Sequence, residues 1–310
     1  MNTLKESPFD KYQVLAVKHI VASQAVNEGE GVLVHRSFPT RQIDQLDPFL
    51  LLDEMGPTNF KPHLAKGFPD HPHKGFETVT YMLAGAMRHR DSVGNQGFLQ
   101  PGDVQWMTAG RGIVHSEMPD PRFAAAGGLM HGFQLWVNLP SKDKLVAPRY
   151  QDLPAAAVPT ARSVDGLTSV KIIAGESLGV AAPIETHTKI TYLHFTLQPG
   201  ATFAQPMPST YNTMAYIIKG EAVFAGKRAG AGQLVIFERL PAPDENPAVP
   251  SAIAFGAEIE ATEPLELLLI GGEPLGEPVA RYGPFVMNTR EEIIEATREY
   301  QEGLLGKISH

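Results

Sequence analysis

The sequence predicts an all-β chain: two related β-barrel domains followed by one C-terminal helix. Three observations carry this. First, β-branched and aromatic runs are short and broken by turn residues, with Gly and Pro supplying 29 and 26 of 310 residues. Short strands at close spacing build sandwiches or barrels. Second, Phe76–Gly85 (FETVTYMLAG) and Tyr211–Gly220 (YNTMAYIIKG) share Thr, Tyr and Gly at an offset of 135 residues. Third, helical periodicity is confined to the end of the chain.

The better runs of the first half are Val14–Val17, Gly31–Arg36, Phe76–Leu83, Val104–Met107, Ile113–Glu117 and Phe133–Asn138. Turn signals at Gly94-Asn95, Pro101-Gly102-Asp103 and Gly110-Arg111-Gly112 separate them. Residues 139–165, rich in Pro, Ala and charge, read as a connector. The second half offers Ser169–Ala174, Lys189–Leu197, Met214–Ile218, Gln233–Phe237 and Leu265–Ile270. Gly102-Asp103-Val104 and Gly232-Gln233-Leu234 align at an offset of 130, in the same order within each half. A repeat of this length implies duplication of a whole β domain rather than a solenoid. From Thr289, apolar residues recur at Ile293, Ile294, Ala296, Tyr300 and Leu304, close to helical spacing. Thr289 and Glu292 form a capping-box signature, and Gly303 marks the stop. The expected division is 1–140, a connector at 141–165, 166–288, and the helix with its tail at 289–310.

Composition excludes several functions. There is no cysteine, hence no disulfide frame, thiolate nucleophile or Cys-type metal site. A net charge of −8 disfavours general polyanion binding, so no nucleic-acid partner is expected. The N-terminus, MNTLKESPFDKYQVLAV, lacks the apolar core of a secretory signal, and no run is long enough to span a membrane. A soluble cytoplasmic protein is expected. Thr108-Ala-Gly-Arg-Gly112 lacks the Lys-Ser/Thr ending of a phosphate-binding loop.

Histidine is left to carry metal chemistry. Of 11 histidines, His63, His71, His73, His89, His115 and His131 lie close together in the first half. His71-Pro72-His73 and His115-Ser116-Glu117 are two i, i+2 pairs, and in an extended chain such pairs share a face. Two neighbouring strands would converge three imidazoles and one carboxylate. Pro72 is tolerated at a sheet edge. Glu77 keeps the parity of His71 and His73 if the strand continues unbroken, where it would be a further ligand or, the favoured reading, accept the second N–H of a ligating ring. His89, between Arg88 and Arg90, reads as an exposed strand residue; His131 carries no signal of its own. Trp106 and Trp136 read as core. At the offset of 135, His71, His73 and Glu77 face Pro206, Pro208 and Asn212, so only the first half keeps the ligand set. An N/O set without soft ligands suits Fe(II), Ni, Mn, Co or Zn. A closed structural zinc site and an open octahedral site both remain compatible with it.

Longer segments carry a resemblance. PFLLLDE (Pro48–Glu54), HPHKGFETVTYMLAG (His71–Gly85), PGDVQWMTAGRGIVHSEMP (Pro101–Pro119), LWVNLP (Leu135–Pro140), PRYQ (Pro148–Gln151) and GGEP followed by YGPFVMNTREEI resemble the pirin family of the cupin superfamily. The resemblance covers almost the whole chain. It implies a bicupin of two jelly-roll β-barrels with metal in the N-terminal one. It puts the ligands at His71, His73, His115 and Glu117, where the general cupin pattern would take Glu77. The position six before His71, Gly in the general pattern, is Ala65 here. The family implies Fe(II), with Ni, Co, Mn or Zn as substitutes, and dioxygenase chemistry of the quercetin 2,3-dioxygenase type on a small aromatic substrate with O2. Glu117 would then be proton acceptor as well as ligand, with Glu77 in support. The family's alternative role is a metal-binding regulatory protein that acts through a protein partner.

Overall fold

The protein, as a computed structural model, is described for residues 13–240 and 255–309. It divides into two compact units, residues 24–158 with 275–309 and residues 13–23 with 159–240 and 255–274. These limits differ from the expected ones because the chain ends are exchanged. The first strands complete the sheets of the second half, and the C-terminal helix packs with the first. Residues 1–12, most of the stretch behind the leader reading, lie outside the described residues.

The first unit contains β1 (Gln24–Glu28), β2 (Val32–Phe38), β3 (Phe49–Phe60), β4 (Phe68–His73), β5 (Phe76–Ala84), β6 (Met87–Asp91), β7 (Gln96–Leu99), β8 (Val104–Thr108), β9 (Ile113–Pro119), α1 (Pro121–Ala126), β10 (Gly128–Asn138) and β11 (Arg149–Leu153). The end of the chain adds β12 (Ala280–Tyr282), β13 (Phe285–Met287) and α2 (Arg290–Gln301). Seven strands form one sheet in the order β11-β8-β5-β10-β3-β2-β1, and four form a second in the order β4-β9-β6-β7. β4 is an edge strand, which is where Pro72 costs no ladder bond.

The second unit repeats this plan. Its seven-stranded sheet runs Val17–Ala22, Gln233–Phe237, Asn212–Lys219, Leu265–Gly272, Ile190–Leu197, Thr168–Ala174 and Thr160–Arg162. Asn212–Lys219 takes the place of β5 and Gln233–Phe237 that of β8, the two offsets the sequence shows. The edge position filled by β11 in the first unit is filled here by Val17–Ala22, from the start of the chain. The interior is solid apolar core, including Leu193, Phe195, Phe203, Phe224, Phe237 and Leu269.

Among the departures from the sequence reading are three elements of the first unit. β3 is missing from the expected runs because Asp53, Glu54 and Gly56-Pro57 read as punctuation, yet both carboxylates are buried and paired. The connector contains β11, a full partner of β8. α1 starts at Asp120, whose Oδ1 accepts from the N–H groups of Arg122 (2.8 Å) and Phe123 (3.2 Å). The expected α2 forms with both capping-box bonds and ends at Gln301 with Glu302 as its C-cap, Gly303 following at φ +75° as the expected stop. Only part of its apolar set faces inward. Ile293 and Ala296 are buried with Val114, Phe285, Met287 and Leu305, while Ile294, Tyr300 and Leu304 are exposed. Among the described residues no helix is long and apolar enough to cross a membrane.

Candidate metal centre

β4 and β9 pair antiparallel with His71 opposite His115 and His73 opposite Ile113. This register brings three imidazoles onto one face. Ring centroids lie 4.4 Å apart for His71–His115, 4.7 Å for His71–His73 and 4.8 Å for His73–His115. One nitrogen from each lies within 4.8 Å of the others. Glu117 follows His115 by two residues, and β9 stays in regular register with β6 across that interval, the irregularity falling on the β4 side. The carboxylate therefore keeps the face of His115. It lines the same cavity as His71 and His73, and its Oε1 accepts a 2.8 Å bond from Thr80 Oγ1.

The turn after His73 is held from several directions. Gly75 has φ +87°, and a Cβ there would collide with the Val286 carbonyl. The buried Lys144 ammonium donates to Gly75 O (2.8 Å), Val286 O (2.9 Å) and Asn138 Oδ1 (2.7 Å). Lys74 pairs with Glu299 of α2, and Val286 N donates to Lys74 O at 3.0 Å. Val114, beside His115, packs against α2 and β13. Both histidine-bearing strands are thus backed by the C-terminal segment.

The electrostatics suit a cation. Burial pushes His73 well below the ordinary histidine range, with His71 adding to the effect against the Pro284 carbonyl. Burial does the same to His115, helped by His71, His73 and His89. Both rings are therefore neutral at pH 7, the form that binds metal. His71 Nδ1 lies 2.7 Å from Pro69 O, and because a carbonyl only accepts, that nitrogen carries the hydrogen. In the neutral ring, Nε2 then presents a lone pair 3.1 Å from His73 Nε2. Two nitrogens each about 2.1 Å from one ion and a right angle apart lie about 3.0 Å from each other. Neither ring nitrogen of buried His115 meets a hydrogen-bond partner among the described residues. The donor set and its spacing fit a divalent cation.

His71, His73 and Glu117 line a cavity of about 440 Å³, with His115 buried behind them. Val34, Leu51, Met55, Phe68 and Trp136 give it apolar walls, and Arg281 stacks on Trp136 with its guanidinium carbon 5.1 Å from the ring centroid. The seven-stranded sheet adds Arg36, Asp53 and Gln134 to the lining. Thr80 Oγ1 lies 2.7 Å from Gln134 Oε1 as well as 2.8 Å from Glu117. One hydroxyl has one proton, and the carboxylate can only accept it. Gln134 must then turn its amide NH2 toward Thr80.

Other residues stand elsewhere than the sequence reading expects. Glu77 is buried, but the chain leaves the β4 sheet at Lys74-Gly75, so the parity with His71 and His73 breaks. Glu77 Oε1 accepts from Thr108 Oγ1 (2.6 Å), on the face of β5 opposite Thr80. It does not border the cavity lined by His71 and His73. His89 is buried rather than exposed, opposite Glu117 on β6, with its ring 5.8 Å from His115 and 4.6 Å from Tyr150. His131 pairs with Glu54 (2.8 Å) instead of approaching the cavity, and His63 is exposed. Trp106 is core, whereas Trp136 is cavity wall. Arg36, Asp53, Thr80 and Gln134 carry no local motif. A position-by-position comparison of the two halves is the signal that finds Thr80 and Gln134, which align with Ala215 and Leu269 at the offset of 135; Arg36 and Asp53 face polar residues at that offset and are not found by it.

The chain matches the Pirin family over residues 31–137 and the Pirin C-terminal cupin domain over residues 192–306. It is 47% identical to a pirin-like protein of Solanum lycopersicum over 94% of this chain and 93% of that one. It is 42% identical to pirin of Homo sapiens over 92% of each. Among solved structures it resembles a quercetin 2,3-dioxygenase from Acinetobacter baumannii with TM-score 0.87 and 33% identity, over 96% of this chain and 100% of that one. The fold is also that of the bacterial pirin YhhW from Escherichia coli in complex with nickel(II), at TM-score 0.60 and 18% identity, over 83% of this chain and 100% of that one. Both halves of the chain carry the match, and it spans nearly the full length of the relatives: the protein belongs to the pirin family of two-domain cupins.

Proposed function

We propose that this protein is an Fe(II)-dependent dioxygenase of the quercetin 2,3-dioxygenase type, acting on a flavonol or a related enolisable aromatic with O2. His71, His73, His115 and Glu117 hold the metal in this reading. The observation that carries it is the convergence of three histidines, two of them buried and neutral, beside a cavity that His71 and His73 line together with Phe68 and Trp136. The 33% identity to a quercetin 2,3-dioxygenase supports the reaction class. When bound, the metal supplies Lewis acidity toward an oxygen-bearing substrate.

The protein's own residues supply the rest. Trp136, Phe68 and Leu51 bind a flat ring system and exclude water. Glu117 takes the proton of the substrate's 3-hydroxyl, leaving an electron-rich enolate open to attack by dioxygen. Thr80 fixes the rotamer of Glu117 through Oε1, which leaves Oε2 free of that bond. Glu117→Gln tests the role, because the amide keeps the shape and a ligating oxygen but cannot accept the proton. Flavonol consumption is expected to fall by about 10²–10⁴-fold while the protein still takes up metal. Unchanged consumption would remove Glu117 from the mechanism. Metal uptake with no flavonol consumption in the unmodified protein would favour a regulatory metal-binding role with a protein partner.

A further inference from the structure

One row of polar side chains runs across the interior of the seven-stranded sheet of the first unit. Arg36 stands opposite Asp53, Asp53 opposite Gln134, Gln134 opposite Thr80 and Thr80 opposite Gln105. In the second unit the same pairing steps are Ile172 to Leu193, Leu193 to Leu269, Leu269 to Ala215 and Ala215 to Val235. The two rows occupy corresponding places in sheets of identical strand order. The fold therefore does not require polar groups here. Buried ion pairs are often replaced by apolar residues without loss of stability. The polar row is found in the half that holds the histidine cluster, and three of its members line the cavity.

Its chemistry is biased toward acceptors. Arg36 is held by a fork on Asp53, with Nε to Oδ1 at 2.8 Å and Nη2 to Oδ2 at 2.6 Å, and by Glu28 Oε1 at 2.8 Å. The cavity lining includes this one guanidinium against the carboxylates of Glu28, Asp53, Asp70 and Glu117. A second anion brought here would meet net negative charge, whereas a hydroxyl can donate into it.

Resting on the dioxygenase reading for the probes chosen, we propose that Arg36, Asp53 and Glu28 form a recognition wall for the hydroxyl groups of an uncharged, polyhydroxylated flat aromatic, and that it rejects carboxylate-bearing ones. The guanidinium orients the acceptors, and Asp53 and Glu28 accept from the substrate's phenolic hydroxyls. Specificity then lies in the sheet that faces the cavity, apart from the histidine-bearing strands.

Binding is measured without turnover, on metal-loaded protein under argon, from quenching of Trp136 fluorescence. The probes are quercetin, 3-hydroxyflavone with its single hydroxyl, and a flavone carboxylate. Quercetin is expected to bind about tenfold or more tightly than 3-hydroxyflavone, as a hydrogen bond to a charged acceptor allows, and the carboxylate more weakly than either. The double variant R36I/D53L gives this row the residues of the second unit. It is expected to bring quercetin and 3-hydroxyflavone to within about threefold of each other while still taking up Ni(II). If it fails to fold, Glu28→Gln on the exposed rim should lower the preference and relieve rejection of the carboxylate. Equal binding of the two flavonols by the unmodified protein, no binding of quercetin, or full discrimination in the folded variants would overturn the proposal. Hydroxyl-dependent binding without any consumption of quercetin in air would sink the dioxygenase reading and leave the wall standing. Consumption without discrimination would do the reverse.

Discussion

Replacing His73 by Ala is expected to cost the protein its metal and all flavonol turnover. His73 is the ligand candidate fixed most firmly by its surroundings. Its ring lies 5.0 Å from Phe76, 5.1 Å from Trp136 and 4.8 Å from His115, and it ends a strand pinned to α2 by its neighbour Lys74. Burial holds it neutral, so no proton competes for its lone pair at pH 7. Removing it leaves two imidazoles and a carboxylate, and opens a cavity beside Phe76. Metal analysis should show iron or nickel falling from about one equivalent per chain to background, and Tm should lose the increment that metal gives the unmodified protein. A variant that keeps stoichiometric metal would contradict the ligand assignment.

The second large effect is on stability. Lys144→Met is expected to destabilise the first unit by about 3–5 kcal/mol, because it leaves three buried oxygen acceptors unpartnered in an otherwise filled space. Both tryptophans, Trp106 and Trp136, lie in that unit, so the urea midpoint by fluorescence reports on it. The difference should also depend on pH. Burial pushes the Lys144 ammonium down to about 8. Below pH 8 both folded and unfolded states carry the proton and the cost of burying the charge is fully present. Between pH 8 and the ordinary lysine range the folded state releases its proton first, the unfolded state binds more, and stability rises with pH. The unmodified protein should therefore gain on Lys144→Met over that window. A flat difference would mean that the three acceptors hold the ammonium at its ordinary value.

What could be read from the sequence followed from local spacing. His71, His73, His115 and Glu117 are visible as i, i+2 pairs because strand alternation is a local property, and the strand register then brings the histidines together. Parity fails where the chain changes sheets, and that is why Glu77 is misplaced: the positive-φ turn at Gly75 sends β5 into the other sheet. The duplication is legible because both sheets keep one strand order. The exchange of chain ends is not, since nothing local to Val17–Ala22 or α2 says which half supplies its partner. Lys144 in an apparent connector, and Arg36 opposite Asp53, depend on neighbours distant in sequence. His89 reads as solvated between two arginines because alternation puts the arginines outside and the histidine in.

The proposed dioxygenase chemistry at His71, His73, His115 and Glu117 depends on bound metal. It is tested most directly on protein purified anaerobically and stripped of metal, with quercetin bleaching in air followed before and after addition of one equivalent of Fe(II). Bleaching that is absent from the stripped protein and restored by Fe(II) is the predicted result. Bleaching that proceeds equally without metal, or never appears with it, would contradict the account.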